Sequence, residues 1–438
     1  MNCTTLVDMA SCVPCEPDIP PAFYFSRGPG TFRVPRGLPA ASRAKLVAAL
    51  ASAGHTSGIV LLRGGTEVTR YDSDHEPIFR QESYFAHLFA VKEPDCWGLI
   101  ELPTGRATLF IPRLAPEYAI WMGEIKRPSY FEGHYGVDAV HFVDELRQVV
   151  AAAAGSAGPI HVMAGKNTDS GLDLGAVLPT AEGVPEGIPV DSSSLYNLAA
   201  ECRVVKSAAE IEVMRYAAWV SSCAHASVMR DTKPGMFEYQ LEALFLFHCA
   251  FHGGCRHQAY TCICACGPDA AVLHYGHAGA PNERQLLETD MALLDMGCEY
   301  SFYASDITCS FPISGEWTHR HAHIGMHAWH ACMAWHALHG MHCMACMAWH
   351  GMACMACMAC MASQASGHIG MHAACMACMA CMASLIESQA AARRVTVRCL
   401  SKPEPNPNPK RNASQVASQR ISVWCMMPCS TRSAKSWR

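Results

Sequence analysis

The chain has 438 residues, half of them hydrophobic and 16% charged, with a formal net charge of −5. That length suits two or three domains with cores of their own, and so small a charge gives no electrostatic case for a nucleic-acid or membrane partner. The total conceals an asymmetry: residues 387–438 hold ten Lys and Arg against two Glu, a balance of +8, so the rest carries −13. The N-terminus carries Asp8, Glu16 and Asp18 and no unbroken apolar stretch, unlike a secretory leader. The expectation is a cytoplasmic protein whose 25 cysteines are mostly reduced thiols.

From about Phe23 to Leu195 helix and strand patterns alternate. Ser42–Ala51 has the spacing of a helix, and Gly58–Leu62 is a β-branched run that ends at Gly64-Gly65. Arg80 and Glu82, in FRQESYF, read as a salt-linked surface strand. Trp97–Leu102 and Ala107–Ile111 flank Pro103-Thr104-Gly105, which predicts a hairpin. Val137–Ala154 reads as an amphipathic helix stopped by Gly155, and Pro159–Met163 as a returning strand. The pattern predicts an α/β domain.

Two helices follow, Ala208–Met229 and Phe237–His252, with a stop at Gly253-Gly254. Strand patterns come next at Tyr260–Cys266, Ala270–Tyr275, Met291–Met296 and Tyr300–Phe311. Helices followed by antiparallel strands predict an α+β domain, one that breaks off after Phe311-Pro312.

The text then changes in kind. From His321 to Ile386 there is no Asp, Glu, Lys or Arg, and Cys-Met-Ala recurs at 354–362 and 375–383. The pentanucleotide GCATG, iterated, translates as Ala-Trp-His-Gly-Met in every frame, which is the string Ala348–Met352. A simple nucleotide repeat therefore generates this restricted alphabet, as in a retained intron. Two other readings stay open. Cys343/Cys346, Cys354/Cys357/Cys360 and Cys375/Cys378/Cys381 have the spacing of zinc or iron–sulfur ligands, and Cys343–Ala362 has the length of a membrane span, interrupted by His350. Residues 387–438, rich in Pro, Asn and Ser, read as a basic disordered tail.

The sharpest candidates for chemistry are Asp295 and Asp306, in MALLDMG and ASDITCSFP. Each carboxylate sits in an apolar, β-prone run where a lone charge is costly to bury. Strands joined near Gly297-Cys298-Glu299 can set them side by side, and adjacent carboxylates are reconciled by a shared proton or by bound cations. Oxygen donors favour a hard or borderline divalent ion, and two such ions can activate a water for hydrolysis. The competing reading is two turn-forming Asp at strand ends. His274 and His277, in VLHYGHAGAPN, stand beside Gly276 and Gly279, as expected where backbone closes on a ligand or simply turns. Cys262, Cys264 and Cys266 alternate along one strand face and read as small core residues.

Taken together, ECRVVKSAAEIEVMR (201–215), RHQAYTCICACG, VLHYGHAGAPN, LLDMGCEY and ASDITCSFP closely resemble the prolidase (Xaa-Pro dipeptidase) family of the creatinase/aminopeptidase P clan. RYDSDHEPIFRQESYF, TLFIPRLAPEYAIWMGEI and NTDSG resemble that family's N-terminal domain, so the likeness runs from about Phe23 to Thr318. It implies an α/β N-terminal domain of aminopeptidase P type (23–195) after an extension (1–22), then a truncated α+β "pita-bread" catalytic domain (196–318), a low-complexity repeat (319–386) and the tail.

The resemblance further implies that Asp295 and Asp306 are metal ligands with Thr308 in support. By the same likeness His274 contacts substrate beside the metals, Tyr260 stands behind the ligands, and Trp121 reaches toward the partner's active site in a homodimer. The implied cofactor is a pair of manganese ions, and the implied substrates are dipeptides ending in proline or hydroxyproline. The family's remaining ligands, one His and two Glu, come from a His-Asp loop, a VEPG strand and a RIEED strand, and none of these strings occurs here. After Asp306 there is no further Asp, and the Glu are Glu316, Glu387 and Glu404. The expectation is a metallo-exopeptidase scaffold that is inactive as written. The alternatives are a non-catalytic partner of full-length prolidase and an aminopeptidase P-like exopeptidase.

Overall fold

The structure is a computed structural model that describes residues 24–316, apart from 156–157, 278 and 280. The readings made for 1–22, for the repeat (with its metal-ligand and membrane-span alternatives) and for the basic tail lie outside the described residues. The chain forms two compact units. One runs to Trp219 and takes in Ala250–His257 and Cys298–Ser305; the other comprises Val220–Cys249, Gln258–Gly297 and the chain from Asp306.

The first unit begins with a short antiparallel pair, β1 (Tyr24–Phe25) and β2 (Val34–Pro35). Helix α1 (Leu38–Ser52) takes Pro39 in its first turn, where a missing N–H forfeits no helical bond. Then come β3 (Gly58–Arg63), α2 (Ser83–Phe89), β4 (Trp97–Leu102), β5 (Ala107–Ile111), α3 (Tyr118–Met122), α4 (Pro128–Tyr135), β6 (Ala139–Phe142), α5 (Leu146–Ala154), β7 (Ile160–Val162), α6 (Leu174–Val177), β8 (Val190–Asp191) and α7 (Leu195–Val204).

These strands make one six-stranded sheet in the order β6-β5-β4-β3-β7-β8. Neighbours β3, β4 and β5 are antiparallel, while β6, β7 and β8 add in parallel. Strand β3 is apolar and buried from Gly58 to Leu62, as suits a strand with both faces covered, and ends on partly exposed Arg63. On one face Ile59 and Leu61 meet Trp97, Leu99, Phe110, Ile160 and Val162, and α5 lays Leu146, Val150 and Ala154 on them at four-residue spacing. Each fully buried Leu, Ile or Phe here contributes about 1.5–3 kcal/mol of transfer free energy. Phe89 of α2 lies so near β4 that a Cβ on Gly98 would stand 2.4 Å from its ring. Gly98 is the residue that lets the helix approach.

Four expectations are corrected. The run Val137–Ala154 is not one helix: its first part is edge strand β6, joined to α5 by a short 3-10 turn at Val143–Glu145. Val140 and Phe142 fit either period, and parallel pairing with β5 decides for the strand. FRQESYF is not a surface strand either. Glu82 is the N-cap of α2, its carboxylate accepting from the N–H of Tyr84 and Phe85, while Arg80 pairs with Glu299 at 3.6 Å. Ala270–Tyr275 is not a strand but the end of a 3-10 turn (Gly267–Ala271) and an irregular loop. Tyr300–Phe311 is broken, because Ser301 and Phe302 both take positive φ and reverse the chain.

Helix α8 (Ala208–Asp231) is followed by α9 (Glu238–Gly253), β9 (His257–Gln258), β10 (Ile263–Cys266), β11 (Met291–Asp295), β12 (Cys298–Tyr300), β13 (Tyr303–Ala304) and β14 (Thr308–Pro312). Within the second unit β10, β11 and β14 form an antiparallel sheet in that order. Val220, Ala224 and Val228 of α8 and Leu241, Phe245 and Cys249 of α9 are buried. Strands β11 and β14 alternate: Ala292, Leu294, Cys309 and Phe311 turn inward, whereas Asp295, Thr308 and Ser310 lie on the more open face. No helix among the described residues is long and apolar enough to cross a membrane.

Candidate active site

Asp295 ends β11, and its partner across the ladder is Thr308 at the start of β14. Asp306 lies two residues before Thr308, in the short irregular segment between β13 and β14. Both carboxylates converge on one phenol: the Tyr260 hydroxyl lies 3.2 Å from Asp306 Oδ1 and in a short contact with Asp295 Oδ1. Burial raises the Asp295 carboxyl above its ordinary value and Asp306 adds to the rise, while Tyr260, Thr308 and His274 pull it down. The Tyr260 phenol is held protonated, pushed up by burial and then by the neighbouring carboxylates.

His274 and His277 lie on the loop between β10 and β11, both exposed, with ring centroids 5.7 Å apart. Three buried contacts fix this loop. Tyr275 donates its hydroxyl to Glu238 (2.7 Å), which also accepts from the N–H of Cys266. Gly276 has φ +91°, and a Cβ there would strike the Cys262 carbonyl at 2.3 Å. Asn282, also at positive φ, donates from Nδ2 to Glu242 and to Cys262 O and accepts from Cys264 N–H. Glu238, Glu242 and Asn282 escaped the reading of the sequence. An isolated Asn in a Gly-rich loop and two Glu on a helix carry no periodic signal, although Asn is among the few residues that tolerate this φ.

The thiols of Cys262, Cys264 and Cys266 are buried. Burial pushes Cys262 and Cys266 up to about 12 and raises Cys264 well above the ordinary thiol value, which suits inert core groups. Trp121, in the first unit, is 79% exposed on α3 beside exposed Ile120 and Met122. A cavity of about 560 Å³ in that unit is lined by Arg80, Tyr84, His87, Arg203, Lys206 and Glu210 among others. Its cations are occupied: Arg203 bonds Ser83 Oγ and lies over the Tyr84 ring, and Lys206 donates to the carbonyl of Arg203.

Two adjacent carboxylates on an open sheet face suit a hard divalent cation. Among the described residues, however, no third His, Cys, Asp or Glu joins Asp295 and Asp306 in a ligand group. Among the described residues the donors at this site are the two carboxylates alone, fewer than a two-metal centre uses.

Fold and site together define a peptidase architecture: an α/β domain, then an antiparallel sheet that presents paired carboxylates. The sequence model of the aminopeptidase P N-terminal domain matches residues 40–162, and that of metallopeptidase family M24 matches 212–355, running beyond the described residues. The chain thus combines a match to the aminopeptidase P N-terminal domain with a match to metallopeptidase family M24, a family that uses divalent metal ions. The Xaa-Pro dipeptidase of Mus musculus is 46% identical over 296 residues, covering 67% of this chain and 59% of the relative. That of Homo sapiens is 45% identical over 300 residues, covering 68% and 59%. Among solved structures, aminopeptidase PepP of Pseudomonas aeruginosa superposes with a TM-score of 0.57 at 28% identity, over 67% of this chain and 65% of that one. Proline aminopeptidase P II of Yersinia pestis gives 0.55 at 28%, over 67% and 66%. The chain thus spans about three-fifths of the length of the curated relatives it matches.

Proposed function

We propose that residues 196–318 are the first part of a metal centre for hydrolysing dipeptides that end in proline or hydroxyproline, and that the chain as written does not turn them over. The observation that carries this reading is the convergence of Asp295 and Asp306 on the Tyr260 hydroxyl. In it the two carboxylates are metal ligands, Thr308 steadies Asp295, and Tyr260 holds both acids in one orientation. A bound manganese ion would supply a Lewis acid and an activated water. His274, on its anchored loop, would meet the substrate carbonyl, with His277 beside it.

Inactivity follows from the donor count. Two carboxylates bind a pair of divalent ions weakly, and the strings His-Asp, VEPG and RIEED do not occur downstream. The 45–46% identity to Xaa-Pro dipeptidases favours that substrate class over an aminopeptidase's. We place the chain in the cytoplasm as a homodimer, with exposed Trp121 as a contact to the second copy. A non-catalytic role as partner of a full-length prolidase is the second reading, for which exposed Trp121 would supply the contact. The test is proline release from Gly-Pro by the purified full chain in Mn²⁺, with Asp295→Asn as control.

A further inference from the structure

Three side chains far apart in sequence meet at one end of the six-stranded sheet. His161 is the middle residue of β7 and Asp191 ends β8; they are register partners on parallel strands, so their side chains leave the same face. His55 lies between α1 and β3, tied by its N–H to the carbonyl of Leu50. Nδ1 of His161 is 3.1 Å from Asp191 Oδ2, and Nδ1 of His55 is 3.6 Å from the same oxygen. Donor atoms of all three residues lie within 4.8 Å of one another, and the two rings are 5.0 Å apart, edge to face.

The hydrogen bonds of His161 are what single this group out. Its ring is buried, 1% exposed, and both nitrogens face acceptors: Nε2 the carbonyl of Ser57 at 3.3 Å, Nδ1 the Asp191 carboxylate. A neutral imidazole has one N–H and one lone pair. If Nε2–H donates to Ser57 O, the Nδ1 lone pair points at an anionic oxygen, and the repulsion is removed either by a second ring proton or by a cation bound between them. An imidazole that donates one N–H to a backbone carbonyl while its other nitrogen faces a metal is the usual arrangement around bound ions. The carboxylate is oriented in the same way: Asp191 Oδ1 accepts from the N–H and hydroxyl of Ser193 at 2.9 and 2.6 Å, leaving Oδ2 toward the two rings.

We propose that His55, His161 and Asp191 bind one borderline divalent cation of the zinc class, distinct from the carboxylate pair of the second unit. Ligands about 2.0–2.2 Å from a tetrahedral zinc stand about 3.3–3.6 Å apart, and the separations of the two imidazole nitrogens from Asp191 Oδ2, 3.1 and 3.6 Å, bracket that span. Two nitrogens and one oxygen suit zinc over calcium or magnesium. His55 and Asp191 are each about one-fifth exposed, which gives water access to the fourth position. The ion would tie the edge strand β8 to the segment that precedes β3. The alternative is a metal-free imidazolium–carboxylate pair.

The test is equilibrium dialysis of the reduced full chain at fixed free Zn²⁺, beside His55→Gln and Asp191→Asn, with bound zinc counted by elemental analysis and folding followed by circular dichroism. The Cys- and His-rich tract and the carboxylate pair are common to all three chains and cancel in the difference. One equivalent more in the wild type than in each variant, with a zinc-dependent rise in melting temperature that the variants lack, is the expected result. His55→Gln leaves the His161–Asp191 contact in place, so it removes a ligand and not the pair. Equal zinc content in the wild type and in a folded His55→Gln overturns the proposal and leaves the imidazolium–carboxylate pair. Because no activity is read, the outcome is independent of the dipeptidase reading.

Discussion

The Tyr260 hydroxyl lies 3.2 Å from Asp306 Oδ1 while it also contacts Asp295 Oδ1. A phenol has a single proton, so two ionised carboxylates at this oxygen leave one of the contacts without a hydrogen. Another proton or a cation relieves the conflict, and in the metal-free chain burial, with the charge of Asp306 adding to it, raises the Asp295 carboxyl.

A raised carboxyl has a definite consequence for stability. Its contribution is fully present below the unfolded value and is lost as pH rises through the folded value, since the native state then binds the proton more tightly. Asp295→Asn, which has no charge to desolvate, is expected to be more stable than the wild type at neutral pH in the absence of metal. The gap should close as pH falls below about 4, the ordinary Asp value. Urea titrations across pH check this; a gap that widens toward acid contradicts it.

Gly98→Ala forces a methyl group into the ring of Phe89, 2.4 Å from Cε2. Both residues are backed by packed core, so the helix α2 must shift. Overpacking of this kind costs about 1–3 kcal/mol, to be read as a lower urea midpoint. The double variant Gly98→Ala/Phe89→Leu should recover part of the loss.

Glu82→Ala removes the acceptor for two N–H groups at the start of α2. The expected loss is about 1 kcal/mol, with Glu82→Asp retaining most of it. A salt-linked surface strand would instead have made the effect depend on ionic strength.

Asn282→Ala leaves the Cys264 N–H and Cys262 carbonyl without a buried partner and strains a residue at φ +56°. A loss of about 2–4 kcal/mol is expected from denaturant unfolding. Hydrogen exchange should localise the loosening to the loop that bears His274 and His277.

Much of this organisation was legible in the chain. The hairpin Trp97–Leu102/Ala107–Ile111 was bounded correctly because Pro103-Thr104-Gly105 is a strong turn signal between apolar runs. The long helices α8 and α9 were legible from their period, and Asp295 and Asp306 stood out because charge in an apolar run demands a reason. What failed was local text that suits two periods. Val137–Ala154 fits a helix until the edge of β5 claims Ala139–Phe142, a choice made by tertiary pairing. Likewise Ser301 and Phe302 take positive φ without a glycine to announce it. The anchors of the His274 loop and the His55–His161–Asp191 group were missed for a different reason: their members come from separate segments, and only the fold brings them together.

The proposed function pairs two carboxylates on one sheet face with an incomplete metal centre. The most direct measurement is proline release from Gly-Pro by the purified full chain in saturating Mn²⁺, beside Asp295→Asn and a metal-only blank. Release no greater than the blank in both chains is the predicted result. Turnover by the wild type that disappears in Asp295→Asn would show that the chain completes its metal centre after all.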